Sequence, residues 1–360
     1  MITLKKAKVV QINRARPGYI EALVDIGGKH QKAICYEALT GEIKRGDVVI
    51  INTTAVDLGL GTGGWHFILF NLSKKEVVSQ SDGHIMKLRY TPLQIKCLAV
   101  EEEKSPYHEL LKDATDIAGM PVIVGSLHSQ LPAAAIVLKE LVPDASIAYI
   151  MTDGAALPIA FSEHVARMVE DGIINETVTV GHAFGGSIEA VNIFSGLAAA
   201  KHAAKADVAI VCMGPGIVGS NTRLGFTGIE QGQIINAVNG LKGRPVAIPR
   251  ISFADTRLRH QGLSHHTLTS LSIAAISRCT VTIPKMDKSK EDIVYGQIRD
   301  SGLDKIHDIV KIDAAITLEA IKKKGILPTT MGRTVDQDPE FFMAAGAAGI
   351  YTANILLGSS

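Results

Sequence analysis

The stretch RPVAIPRISFADTRLRHQGLSHHTLT, residues 244–269, decides how the rest of the chain is read. Its opening, 246–253, is a short apolar run carrying β-branched residues, the mark of a strand buried on both faces of a parallel sheet. Within the next twelve-residue window stand Asp255, Arg257, Arg259, His260, His265 and His266. Leu268, Leu271, Ala274 and Ala275 then fall at helical spacing, so a helix capped near Ser264 is expected. In an open α/β sheet the loop after a strand's carboxyl end is where ligands bind. Two arginines, an aspartate and three histidines there exceed what a solvated loop needs.

Outward from this stretch, residues 121–126, 147–151, 177–180, 208–213, 280–283 and 308–312 read as further apolar strands alternating with helical segments. The pattern predicts an α/β class: a doubly wound, mostly parallel, Rossmann-like sheet domain over 115–360, with right-handed crossovers. Residues 1–105 read instead as a small β-barrel domain, with branched and alternating segments separated by turn signals at Pro17-Gly18, Gly27-Gly28 and Thr40-Gly41. The segment LTGEIKRGDVVIINTT suggests an SH3-like or OB-like barrel by analogy of fold. The charged run at 101–106 reads as a linker.

Lys and Arg number 37 against 36 for Asp and Glu, so no overall field argues for nucleic acid or a membrane surface. Tyr19 and Tyr36 are the only aromatics in the first sixty residues, few for a stacking platform, and nucleic acid is not an expected partner. Cys35, Cys97, Cys212 and Cys279 are widely spaced and read as buried reduced thiols. MITLKKAKVV lacks the apolar core of a signal peptide, and 341–357 is too short for a span, so a cytoplasmic protein without a membrane segment is expected.

In a parallel sheet every strand's carboxyl end opens onto one edge, which gathers the residues after each strand. GSLHSQLP brings His128, and TDGAALP brings Asp153. GHAFGGSIEAVN brings His182, Gly185, Gly186 and Ser187, and is expected to open a helix directly. GPGIVGSNTRLGFTG brings Gly214, Gly216, Gly219 and Thr222, and TTMGRTVDQDP brings Arg333. Glycine-rich turns before helices offer free N–H groups to an anion, so both glycine loops are candidate anion cradles, or else simply permit close packing.

Two G-x-G-x-x-G matches occur. A strand, not a helix, follows Gly59–Gly64, and the helix after Gly214–Gly219 starts only near Thr227 with no acidic residue placed for a ribose; a standard NAD site is not expected. The G-x-S-x-G elbow of a serine hydrolase is absent, as is H-E-x-x-H. His265 and His266, adjacent on a helix, should project about 100° apart and be awkward on one metal. A divalent-metal site from Asp153, Asp255, His260 and one of that pair remains open. So does metal-free acid–base work by the same residues, with Arg257 or Arg333 holding an anionic substrate.

The motifs GTGGWH, GHIMKLRYT, LHSQLP, TDGAALP, GHAFGGSIEAVN, GPGIVGSNT, ISFADTRLRHQGLSHHT and TTMGRTVDQDP together resemble an uncharacterised bacterial family, domain of unknown function 3866, over nearly the whole chain. The resemblance implies a soluble bacterial protein and lends no catalytic residues. The leading expectation is therefore an enzyme acting on a small phosphorylated or nucleotide-like anion at the sheet's carboxyl edge, covered partly by the barrel. A metal-dependent hydrolase at the same edge is the alternative, and a ligand sensor or RNA-binding module a third. A homo-oligomer is compatible with each. His260 and His265, if functional, should each have a carboxylate in reach, Asp255 or Asp153, to fix the imidazole tautomer.

Overall fold

The computed structural model describes residues 2–78 and 81–358. The chain forms two compact units, Met1–Leu98 and Ala99–Ser360. The change-over comes before the charged run at 101–106. Ala99 pairs with Glu189, Glu102 is buried and accepts the Ala99 N–H, and Ile117 is fully buried, so these residues already belong to the second unit.

The first unit is a closed five-stranded barrel in the order β1-β2-β3-β5-β4, from β1 (Leu4–Arg16), β2 (Tyr19–Ile26), β3 (Lys29–Cys35), β4 (Val48–Asn52) and β5 (His66–Asn71). β3 and β5 run parallel and the other pairs antiparallel, the Greek-key order of an OB-type barrel. Alternation fills it: Ala7, Val9, Ile20, Ala22, Val24, Ala33, Val49, Ile51 and Ile68 point inward. Gly27 and Gly28, both at positive φ, make the tight β2–β3 turn. The glycines at 59–64 lead into β5, as the rejection of a dinucleotide loop requires, and His66 is buried with Nε2 on Gln31. A small antiparallel pair, β6 (Ile85–Lys87) and β7 (Ile95–Cys97), completes the unit.

The second unit is built on an eight-stranded, all-parallel sheet in the order β11-β10-β9-β12-β8-β13-β16-β17. Its strands are β8 (Pro121–Val124), β9 (Ile147–Thr152), β10 (Glu176–Thr179), β11 (Ile188–Glu189), β12 (Val208–Met213), β13 (Arg244–Ala247), β16 (Thr280–Pro284) and β17 (Asp308–Ile312). Successive side chains of the central strands enter opposite cores. Val122, Val124, Ala209 and Val211 face one with the helix Glu230–Gly240; Ile123, Val208 and Ile210 face the other with the helices Leu131–Leu141 and Pro339–Leu356. The last helix, apolar in sequence, is thus a core helix, and among the described residues no helix is long and apolar enough to cross a membrane. It sits close: a Cβ at Gly346 would lie 1.9 Å from Thr317 Oγ1, and one at Gly349 2.5 Å from the Ala134 carbonyl.

Two expectations change. The strand read over 246–253 ends at Ala247, because Pro249 cannot continue the ladder; Ile251–Ser252 instead forms β14, antiparallel to β15 (Gly262–Leu263). GHAFGGSIEAVN does not open a helix directly: its loop returns as edge strand β11, and the helix Ile193–Ala198 starts after Asn192, whose Oδ1 accepts the Phe194 and Ser195 N–H groups.

From β8 the chain leaves toward β9, and from the adjacent β13 toward β16, so the doubly wound sheet has its switch point between β8 and β13. Fully buried Gln231 clamps it, Nε2 donating to the carbonyls of Val124 (2.8 Å) and Ile248 (2.9 Å).

Candidate functional site

Just past β13, the break at Pro249 turns Arg250 inward, 4% exposed, with its N–H on Thr267 Oγ1 at 2.8 Å. Arg250 Nη2 donates to Asp255 Oδ2 at 3.1 Å, and Arg257 grips the same carboxylate with both Nε (2.9 Å) and Nη2 (2.7 Å). Arg333 completes the group, with Nε 2.9 Å from Asp338 Oδ2 and Nη2 3.7 Å from Asp255. Ser252 joins the carboxylates, its Oγ donating to Asp338 and accepting the Asp255 N–H. The Arg257 fork beside Asp255 holds that carboxyl far below the usual range, whereas burial raises that of Asp338. Three guanidiniums thus face two carboxylates. Arg250 Nε and Arg333 Nη2 are buried and have no hydrogen-bond partner among the described residues.

Beside this network three imidazoles converge. His260 lies in a single turn, Leu258–His260, and is 2% exposed; His265 and His266 are the first two residues of the helix His265–Thr269. Ring centroids are 4.9 Å apart for His260 and His265, 5.1 Å for His260 and His266, and 4.3 Å for His265 and His266. One nitrogen from each ring lies within 4.8 Å of the others, a grouping able to hold a metal ion. The 100° projection therefore does not keep the adjacent pair apart: two rotatable bonds in each side chain swing the rings back together over His260. Phe226 stacks on His266 at 4.0 Å and 7°.

Ser264 organises the group. Its Oγ accepts the His266 N–H at 3.2 Å, capping the helix as expected, and is 2.7 Å from His260 Nδ1. The carboxylate partner expected for His260 is this hydroxyl instead, and His265 Nε2 and His266 Nδ1 are buried with no hydrogen-bond partner among the described residues. Burial, then the positive charge of Arg250, lowers His260 to about 3; burial, then His265, lowers His266 to about 3; His265 is lowered chiefly by burial. All three are neutral imidazoles at ordinary pH.

Asp153 and Asp255 do not join the histidines as ligands. Asp255 is consumed by Arg250 and Arg257, and Asp153 Oδ2 accepts the His182 N–H at 2.8 Å. A Cβ at Gly181 would lie 2.3 Å from that carboxylate, so the loop after β10 closes on it. The first glycine cradle is already filled from within the chain: Gly185 N–H donates to Glu189 Oε1 (2.6 Å) and Gly186 N–H to Thr179 Oγ1 (3.2 Å). In the second, Gly214 passes so near the β9 loop that a Cβ would lie 2.4 Å from the Ala155 carbonyl, and Gly216 takes φ +115°. Thr222 Oγ1 accepts the Gly225 N–H and meets Ser220 Oγ, so that loop closes on itself, and Gly219 lies against the His266 ring. His128 is buried in the turn after β8, with Nε2 2.7 Å from Ser162 Oγ and Nδ1 3.4 Å from Tyr149 Oη.

Glu230 was not singled out by sequence. It opens the helix Glu230–Gly240, receives a 2.6 Å hydrogen bond from Thr152 Oγ1 at the end of β9, and is raised to about 7, first by burial. Arg250, Ser264, His266 and Asp338 belong to the cluster past β13, whereas Glu230 stands at the end of β9 beside Thr152. Residues 32–349 match the family described as Protein of unknown function (DUF3866). No curated protein and no solved structure is measurably similar to the chain.

Proposed function

Since the chain belongs to the DUF3866 family, whose description assigns no activity, we propose a function from the residues themselves: an enzyme that binds a small phosphate- or carboxylate-bearing molecule at the carboxyl edge of the parallel sheet. The observation that carries this reading is the excess of guanidinium over carboxylate past β13, with Arg250 Nε and Arg333 Nη2 buried and, among the described residues, without a hydrogen-bond acceptor, Asp255 standing 3.7 Å from the latter. A buried N–H without a partner is costly, and an anion supplies the missing acceptor with a charge-assisted bond. Glu230, raised to about 7 by burial, is suited to give and take a proton near neutral pH at the same edge. This supports catalysis over binding alone.

Inorganic phosphate is the first probe. At a hundred times its dissociation constant it should stabilise the protein by roughly 2.7 kcal/mol, read as a rise in melting temperature. Arg333→Gln should lose most of that rise, and an Arg333→Gln protein responding to phosphate like the wild type would remove the proposal. In a screen of phosphate esters and carboxylic acids, Glu230→Gln should keep the phosphate response while losing turnover.

A further inference from the structure

We propose that His260, His265 and His266 form a three-imidazole centre for one divalent transition-metal ion, Zn²⁺ or Co²⁺, with coordination left open for water or an anion. The inference stands apart from the anion reading, because it rests on the imidazoles alone.

The first support is convergence: one nitrogen from each of three rings lies within 4.8 Å of the other two. Tetrahedral Zn–N bonds of about 2.0–2.1 Å set ligand nitrogens roughly 3.3 Å apart, so small ring rotations close the site. The second support is independent of spacing. Among the described residues His265 Nε2 and His266 Nδ1 are buried and without a hydrogen-bond partner on two rings that touch, whereas the buried His128 and His307 have both ring nitrogens bonded. The third is the outer support that metal-binding histidines require. Ser264 Oγ lies 2.7 Å from His260 Nδ1 while accepting the His266 N–H. The hydroxyl can accept from both, and in the tautomer where Nδ1 of His260 carries the hydrogen, Nε2 offers its lone pair.

The donor set selects the ion. Three nitrogens with neither thiolate nor carboxylate suit Zn²⁺, Co²⁺, Ni²⁺ or Cu²⁺ and disfavour Ca²⁺ and Mg²⁺, which want oxygen. The neighbouring guanidiniums oppose a bare cation. Asp255 and Asp338 offset two of those charges, and an anionic further ligand, hydroxide or a substrate oxygen, offsets more of the remainder. The same positive surroundings favour the hydroxide form of a bound water, which on zinc already has a pKa near 7.

The test uses tag-free, full-length protein purified without chelators, its metal content measured, followed by stripping and titration with Co²⁺. The expected result is one equivalent per chain with the intense visible absorption of four- or five-coordinate Co²⁺. His260→Ala, His265→Ala and His266→Ala should each weaken uptake more than ~100-fold, and Ser264→Ala by ~10–100-fold. Because a variant can fail by unfolding, the wild-type titration decides alone: no stoichiometric uptake, or uptake with only weak octahedral absorption, overturns the proposal. Unchanged uptake in three folded histidine variants overturns it equally. A protein that takes no metal yet responds to phosphate through Arg333 leaves the proposed function standing, and the converse result separates the two the other way.

Discussion

The chain that follows each of the adjacent strands β8 and β13 carries a buried histidine, and the two differ in what surrounds the ring. After β8, both nitrogens of His128 are met by hydroxyls, the helix-capping Ser162 and Tyr149. After β13, His260 likewise shares a hydroxyl with a helix cap, but its two neighbours hold buried nitrogens with no hydrogen-bond partner among the described residues. Burial lowers the proton affinity at both ends, so a depressed pKa does not distinguish architecture from site. Hydrogen-bond accounting over a group does: the matched ring holds the fold, a single unmatched nitrogen such as His66 Nδ1 in the barrel makes no site, and the two adjoining unmatched rings beside His260 are available to a ligand.

The largest effect that could break this contrast lies in the charged shell beside the second cluster. Asp255→Ala leaves Arg250 buried and unpaired, and should cost 3–5 kcal/mol by urea denaturation, about what losing one partner of a buried ion pair costs. A loss below ~1 kcal/mol would mean the guanidiniums do not need that carboxylate. Next, His128→Ala opens a buried space and removes one partner each from Ser162 and Tyr149, which keep the Val165 N–H and the Cys212 and Met213 carbonyls, and should cost about 1–3 kcal/mol with phosphate binding intact. His265→Ala breaks no hydrogen bond among the described residues and should cost about 0.5 kcal/mol. The reverse ranking would exchange the roles assigned to the two ends.

The His128 end carries a pH dependence. Burial lowers His128 from 6.5 to about 4, so between those values the unfolded chain holds more protons than the folded one. Stability from the neutral ring is therefore complete above the unfolded value and is lost as pH falls toward the folded one, by up to ~1.4 kcal/mol per unit. The advantage of wild type over His128→Ala should shrink through that window on acidification. An advantage that does not change with pH would show that the ring is not buried as described.

The barrel, the parallel sheet and the crowding of charge after β13 were legible in the sequence because periodicity and turn residues report backbone class directly. Arg250 was not, since VAIPRISF reads as one strand until Pro249 is recognised as its end. The convergence of His265 and His266 was hidden by treating directions on an ideal helix as fixed, when side-chain rotation decides where ring nitrogens go. Gly185 and Gly186 looked like an anion cradle, and only the fold reveals that Glu189 and Thr179, on the parallel pair β11 and β10 that flank the loop, already accept their N–H groups. Glu230 follows an unremarkable GFTGIE, and its burial against Thr152 depends on a strand end 78 positions away in sequence.

The close seating of the helix Pro339–Leu356 has a consequence for biosynthesis. It covers the apolar face beneath β8, the first strand of the sheet to emerge from a ribosome, yet it follows every strand of that sheet in the chain. Gly346 and Gly349 admit it only at near-contact distance. During translation the helix Leu131–Leu141 can cover part of that face early, but the part beneath the last helix stays open until residue 356 is made, while the barrel, whose strands are all within the first 71 residues, can close long before. A nascent chain with a folded head and a sheet face still partly uncovered is the kind of intermediate that chaperones hold.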